Sequence, residues 1–409
     1  MSAAAAERLR ILIGAFGDPG HAFPAIAVGK ELVRRGHDVT VETWTRWRPD
    51  VEREGMRFAP APEYQVFPTR ERPLKPYVAA ARAAIETRPR MRELAPHVVV
   101  NDVLTLAPAL AAELEGRPRA TLVPHFYPPS APGLPPYGLG AMPARSRAGR
   151  AAWRLARRQL DKGVERGRRE LNETRRRVGL PELARQYGGI SADLCLVATF
   201  PQLEYPRAWP HGVHVTGPVA WEPPTDQVEV PPGDAPLVLI APSTSQDREE
   251  RLLRAALEGL AGLPVRVLAA RNRHPGRPGA EWSPAVPANA SVVDWVSYSQ
   301  VMPQSAIVVC HGGHGTMARA LASGAAVVTV PASGDMGENG VRAQWAGAGL
   351  NLPARFLSPA TLRWAVQSVL ERPNLAARAR ELSAWAAEND GGANAAVLIE
   401  RFATRASRS

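Results

Sequence analysis

Three groups of residues in this 409-residue chain combine reactive side chains with settings that suit acid–base or anion-binding chemistry. The first is His21, in Gly17-Asp18-Pro19-Gly20-His21-Ala22-Phe23-Pro24, shortly after the apolar run Leu9–Ile13. A histidine between a strand end and a helix start faces a cleft, and its ordinary pKa of about 6.5 suits a general base at neutral pH. On its own it suits a helix cap or a core position equally well. The second is Asp102, which closes His97-Val98-Val99-Val100-Asn101-Asp102. A carboxylate at a strand end can hold the second nitrogen of an imidazole and stabilise its charged form. It can also be a plain strand cap, and Asn101 beside it leaves the choice of residue open. The third is His311-Gly312-Gly313-His314-Gly315-Thr316, after Ile307–Cys310. Glycines between a strand and a helix let backbone N–H groups close on an anion, and the helix N-terminus adds partial positive charge. Thr316 can donate its hydroxyl to a phosphate oxygen, and His311 can donate through a ring nitrogen. A bare Gly-Gly-x-Gly is also a tight turn without a ligand.

These groups need a scaffold that brings strand ends together. Leu9–Ile13 reads as a strand, Ala22–Arg35 as a helix with an apolar stripe, and Asp38–Thr43 as a second strand. His97–Asn101, Ala120–Val123, Asp193–Val197 and Val213–Thr216 are short apolar runs suited to buried parallel strands. Gly217-Pro218 and the Pro-, Asp- and Glu-rich stretch to Asp234 then interrupt the pattern. A second series follows, with strands at Leu237–Ala241, Val265–Ala269, Ser291–Val293, Ala306–Cys310 and Ala326–Val330. Its helices are predicted at Arg248–Ala261, Thr316–Ser323, Val341–Ala348, Pro359–Leu370 and Leu375–Glu388. The pattern predicts an α/β protein of two Rossmann-like domains, residues 1–216 and 236–385, with parallel sheets facing an interdomain cleft. Residues 217–235 form the linker, and 386–409 are expected to give a C-terminal helix packing back on the first domain.

The formal charge of +11 is local. Between Arg145 and Arg177 twelve arginines and Lys162 face Asp161, Glu165, Glu170 and Glu173, a surplus of nine positive charges. The segment reads as a helix with a thin apolar stripe of Leu155, Leu160, Val164 and Leu171, and a solvated basic face is its plainest reading. Peripheral contact of 145–177 with an anionic membrane, or with a partner protein, is the alternative. Helical arginines with a single aromatic among them, Trp153, argue only weakly for nucleic acid, which is not expected as a partner. Two cysteines inside apolar runs, Cys195 and Cys310, exclude a disulfide framework, and no metal-ligand cluster is expected. The first ten residues lack a signal-peptide core, and no run of 18 apolar residues occurs, so a cytoplasmic protein is expected.

The second half resembles the family-1 glycosyltransferases, which use UDP- or dTDP-sugars and have the two-domain GT-B fold. The resemblance rests on Asp294-Trp295-Val296-Ser297, Met302-Pro303, the 311–316 turn, Ala320-Leu321, Gly324, Val330-Pro331, Asp335, Asn339 and Gly347-x-Gly349. Actinobacterial enzymes that decorate natural products look closest. The resemblance implies a first domain that binds the acceptor and a second that binds the nucleotide sugar. It implies Trp295 stacked on the base and the Val296 backbone at the base edge. It places His311, Gly312, Gly313, Gly315 and Thr316 at the diphosphate, with Ser243 and Thr244 facing it and Asn339 near the phosphates. Asp335 would hold sugar hydroxyls, with Met336 following it. In the first domain it implies His21 as the catalytic base and Asp102 as its partner.

The implied reaction is a direct, inverting displacement without metal or other cofactor, onto a hydroxyl or nucleophilic carbon of a small aromatic or polyketide acceptor. Acceptor contacts are expected from the loops at Phe67–Tyr77 and Phe126–Met142, with Phe67, Phe126 and Tyr137 as candidates. Three residues depart from the family pattern. Ser297 replaces a usual proline, Met336 a common Gln, and Arg319 a Glu that accepts from ribose hydroxyls in many UDP-glucose users. A cation cannot accept those bonds and a thioether offers little to sugar hydroxyls, so a deoxysugar donor, on dTDP, is expected. A monomer or homodimer is expected. The rival readings are a lipid- or cell-wall-directed glycosyltransferase at a membrane surface, a nucleotide-dependent oxidoreductase, and a non-enzymatic nucleotide- or membrane-binding protein. The oxidoreductase is weakened by the absence of a clean Gly-x-Gly-x-x-Gly in the first loop.

Overall fold

The computed structural model describes residues 8–62, 76–185, 187–243, 247, 249–272 and 285–406. Phe67 and Thr244 lie outside the described residues. The first half holds β1 (Arg10–Gly14), α1 (Pro19–Arg34), β2 (Asp38–Thr43), α2 (Arg48–Arg53), β3 (Arg57–Pro60), α3 (Pro76–Leu94), β4 (Val98–Asp102), α4 (Leu106–Leu114), β5 (Arg119–Val123), α5 (Arg147–Arg177), β6 (Cys195–Val197) and β7 (Val213–Val215). The second holds β8 (Leu237–Ala241), α6 (Arg251–Leu260), β9 (Arg266–Ala270), β10 (Ala290–Val293), α7 (Tyr298–Val301), β11 (Ser305–Cys310), α8 (His314–Ala322), β12 (Ala326–Thr329), α9 (Met336–Trp345), β13 (Gly349–Asn351), α10 (Pro359–Leu370), α11 (Pro373–Glu388) and α12 (Gly391–Ala406).

Each half builds one parallel sheet. The orders are β3-β2-β1-β4-β5-β6-β7 and β10-β9-β8-β11-β12-β13. Both reverse direction beside their first strand, at β1/β4 and at β8/β11. A doubly wound sheet opens a crevice at the carboxyl ends of the strands where its order reverses. In the first sheet that crevice receives the loop before His21 and the end of β4 at Asp102. In the second it receives Ser243 and the 311–316 turn.

The central strands are buried on both faces: β8 is apolar throughout, and β4 and β5 hold apolar runs that give way to polar residues at one end or within, with all but Arg119 buried. Six elements carried too little pattern to be predicted, among them the short helices α2 and α7. β3 and β13 are short edge strands of four and three residues. α4 is buried over most of its length, so its Leu-Ala-Pro-Ala-Leu-Ala-Ala run shows no polar face. α3 begins next to undescribed residues and carries Pro89 inside. α9 starts at Met336, five residues earlier than expected, despite Gly337 and Gly340.

α11 ends at Glu388, and α12 then packs on α1. Ala395, Ala396, Ile399 and Ala403 share a core with Ala22 and Ile26. Arg35 grips Glu400 through two 2.7 Å hydrogen bonds. The turn into α12 lies so close to the linker that a Cβ at Gly391 would sit 2.4 Å from the Gly217 carbonyl oxygen.

The basic helix α5 is not solvated along its whole length. Leu155 and Leu160 are exposed, whereas Leu171 and Asn172 are buried. Arg175, also buried, pairs with Glu113 at 2.6 Å. Among the described residues no helix is long and apolar enough to cross a membrane.

Candidate active site

The adjacency of β1 and β4 brings the first two reactive groups together. Gly14 is in register with Asn101, so the chain leaving β1 passes directly over the end of β4. Pro19 opens α1 with its φ already set for a helix, and His21 falls in the first turn. There His21 Nδ1 lies 2.9 Å from Asp102 Oδ1. Asp102 is 1% exposed. Its Oδ2 accepts from the Phe16 N–H at 3.1 Å and its Oδ1 from the Leu104 N–H at 3.2 Å. A carboxylate only accepts, so Nδ1 of His21 carries the proton and Nε2 keeps its lone pair. Burial works against the imidazolium, but the Asp102 charge and hydrogen bond outweigh it, and the His21 pKa is raised above the ordinary value. Asp335 of the second half is close enough to add to the rise.

On the facing side, β11 delivers the chain to His311. Gly312 has φ +81°, and a Cβ there would meet the Met336 carbonyl oxygen at 2.9 Å. At Gly313, the N-cap of α8, a Cβ would lie 2.3 Å from His311 Nε2. Gly315 is exposed with open space where a Cβ would be. Thr316 is half-buried in the first turn of α8, near the Tyr298 phenol. The Tyr298 phenol accepts from Asn272 Nδ2 at 2.8 Å.

His311 departs from the expectation. Its Nδ1 is 3.2 Å from the Ala241 carbonyl, which only accepts, and burial lowers its pKa. The neutral ring therefore has no N–H left for a phosphate, and it must gain a proton at Nε2 to donate one. Asn339 is buried and donates Nδ2 to the Gly312 carbonyl at 2.9 Å, so it fixes the turn from behind. Asp335 sits at the N-cap position of α9 without capping it, which leaves the carboxylate for other partners.

The geometry can be set beside known proteins. Residues 277–396 match the family described as erythromycin biosynthesis protein CIII-like, C-terminal domain. The chain is 31% identical over 425 residues to the 4'-demethylrebeccamycin synthase of Lentzea aerocolonigenes, covering 96% of this chain and 99% of that protein. It belongs to the family-1 glycosyltransferases. It is 29% identical to the O-mycaminosyltylonolide 6-deoxyallosyltransferase of Streptomyces fradiae, across 97% of this chain and 98% of the relative. The fold matches the crystal structures of the glycotransferase of kitacinnamycin and of CalG4, the calicheamicin glycosyltransferase. The TM-scores are 0.75 and 0.73, each at 21% identity, covering 97% and 98% of this chain and 99% of each of those. The two facing Rossmann-like domains are thus the GT-B fold.

In this glycosyltransferase several expected contacts take other forms. Trp295 is half-buried and Val296 buried, just past β10. Ser297, in place of a proline, donates to Glu222 at 2.9 Å, and the Tyr298 and Ser299 N–H groups donate to the same carboxylate at 3.1 Å. Arg319 binds Glu222 as well, and the Trp221 carbonyl at 2.7 Å. Arg319 is therefore committed to the linker. It anchors a carboxylate instead of confronting a ribose as a bare cation. Ser243 is buried at the end of β8.

The acceptor-side expectation divides. Phe126 is 0% exposed, edge-on to His314 and beneath the Arg342 guanidinium. It fills the core and has no surface left for a ligand. His314 is likewise interior, with Nε2 2.9 Å from the Thr199 hydroxyl and its pKa pressed down to about 3 by burial. Tyr137 does reach across the cleft: its hydroxyl donates to Asp335 Oδ2 at 3.3 Å. The structure adds a residue the sequence reading passed over, His125. It lies two residues past β5, its ring stacked on Tyr137 and 6.2 Å from the His21 ring. The rule that singled out His21 and Asp102, a titratable side chain at a strand's carboxyl end, applies equally to Val123-Pro124-His125.

Proposed function

We propose that this glycosyltransferase is inverting and metal-independent, moving a sugar from a dTDP- or UDP-sugar to a hydroxyl of a small natural-product acceptor, with His21 as general base. The observation that carries the reading is the His21–Asp102 hydrogen bond, which leaves a basic Nε2 at the mouth of the first sheet. The acceptor oxygen attacks the anomeric carbon while its proton passes to His21 Nε2. The bond from that carbon to the phosphate oxygen breaks, and its electron pair leaves with the nucleotide diphosphate. Attack and departure occur on opposite faces, so configuration inverts. Asp102 stabilises the imidazolium as it forms. The leaving charge is met by the backbone of the 311–316 turn, the N-terminus of α8 and the Thr316 hydroxyl, with His311 taking up a proton as the anion binds. Asp335 holds sugar hydroxyls, and Trp295 stacks on the base.

The names of the relatives support a small natural-product acceptor. A deoxysugar donor is supported by Met336, which offers no amide to a hydroxyl, and by the 6-deoxyallosyl transfer named for the Streptomyces fradiae relative. Arg319, committed to Glu222 and the Trp221 carbonyl, holds the linker and does not select the donor. His21→Ala should abolish transfer while dTDP or UDP still raises the melting temperature; turnover at the wild-type rate would remove the base assignment. A strong preference for UDP-glucose over dTDP-deoxysugars would overturn the donor assignment.

A further inference from the structure

His125 is placed beside the reaction centre but has no part in the displacement. It follows β5, the strand paired with β4, so its position derives from the same sheet edge as Asp102. Its ring and that of His21 meet edge to face, 6.2 Å between centroids at 80°. Its Nδ1 lies 2.8 Å from the Phe126 carbonyl, which can only accept. The proton is therefore on Nδ1, and the lone pair is on Nε2. Tyr137 stacks on its face, centroids 5.8 Å apart and planes 23° apart, which resists rotation of the ring. Among the described residues nothing bonds to His125 Nε2.

We propose that His125 is a second acceptor-recognition group, whose Nε2 accepts a hydrogen bond from a donor neighbouring the hydroxyl that His21 deprotonates. The enzyme then favours acceptors with two adjacent hydroxyl or N–H groups over those with one. The proposal rests on the reading of His21 as base. Two neighbouring imidazoles divide the work because they cannot both be charged cheaply. Asp102 stabilises the charge on His21, whereas burial and the His21 charge hold His125 neutral. The lone pair of His125 thus remains available while His21 carries the acceptor proton. The Phe126–Met142 segment supplies the support: Tyr137 braces the ring and, through Asp335, ties this pocket to the second domain.

The test uses three matched acceptors on one phenolic scaffold: a catechol, its monomethyl ether and the plain phenol. Binding to the full-length enzyme with dTDP present is measured by calorimetry, and kcat/KM is measured with a donor that the enzyme uses. The wild-type enzyme should prefer the catechol over the other two by about tenfold, the value of one hydrogen bond to a prepared acceptor. His125→Phe keeps a ring for Tyr137 to stack on but no lone pair, so the preference should fall to near one, mainly through KM. His125→Gln supplies an amide oxygen and should restore part of it. Equal wild-type binding of catechol and ether overturns the proposal without any variant, as does an unchanged preference in His125→Phe. Failure of the His21 assignment reads out separately, as retained turnover of the plain phenol by His21→Ala.

Discussion

Arg342, on α9 of the second domain, places its guanidinium 2.8 Å from Glu204 of the first domain and 2.8 Å from Glu338 one helical turn back. All three side chains are buried. The guanidinium also lies over the rings of Phe126 and Tyr205, at 4.5 and 4.0 Å. The remaining carboxylate oxygens accept backbone N–H groups, from Tyr127 at 2.7 Å and Gly140 at 3.1 Å. A buried ion pair stabilises little in itself, because desolvation offsets attraction, but removing one partner strands a charge. Arg342→Ala should therefore cost about 3–5 kcal/mol, read as a lower midpoint in urea unfolding. Replacing all three residues by Met, Gln and Gln should recover much of the loss. A single variant as stable as wild type would show that the network does not hold the domains.

The His21–Asp102 pair makes a prediction about pH. Because Asp102 raises the His21 pKa against the opposing effect of burial, the base is protonated at higher pH than a free histidine would be. Activity should therefore fall as pH drops through a value above 6.5, seen as the acidic limb of kcat/KM. Asp102→Asn removes the charge that raises it. The limb should move to lower pH while kcat falls by about 10²-fold or more, since the tautomer is no longer fixed. A limb that stays in place would separate the titrating group from His21.

The three glycines of the turn should respond differently to the same substitution. Gly312→Ala meets both a positive φ and the Met336 carbonyl, and Gly313→Ala meets the His311 ring. Both should lower stability and reduce nucleotide affinity by tenfold or more. Gly315→Ala meets open space within α8, and alanine favours a helix by about 1 kcal/mol over glycine. Its folded state should be as stable as wild type or more so, and a drop in dTDP or UDP affinity would then report on the ligand's approach alone. Thermal melts with and without nucleotide measure both quantities. Undiminished affinity in Gly312→Ala would count against the turn as the diphosphate site.

What the sequence determined by itself was order and local chemistry. Alternating apolar runs and helical stripes made both doubly wound halves legible, because buried parallel strands must be continuously apolar and crossover helices must be amphipathic. Strand-end position brought out His21, Asp102 and the 311–316 turn, since loops at carboxyl ends are the exposed, reactive edge of such a sheet. What local pattern could not carry was pairing between distant segments. Arg319 looked like a lone cation until the fold laid Glu222 of the linker against it. Phe126 and Tyr137 looked alike as loop aromatics, yet one is sealed beneath Arg342 and the other spans the cleft to Asp335. His311 looked like a ready donor, but the Ala241 carbonyl, 70 residues away in the chain, claims its proton. His125 gained its place from the sheet order that sets β5 beside β4. Protonation, tautomer and burial are set by neighbours in space, and those neighbours exist only once the chain has folded.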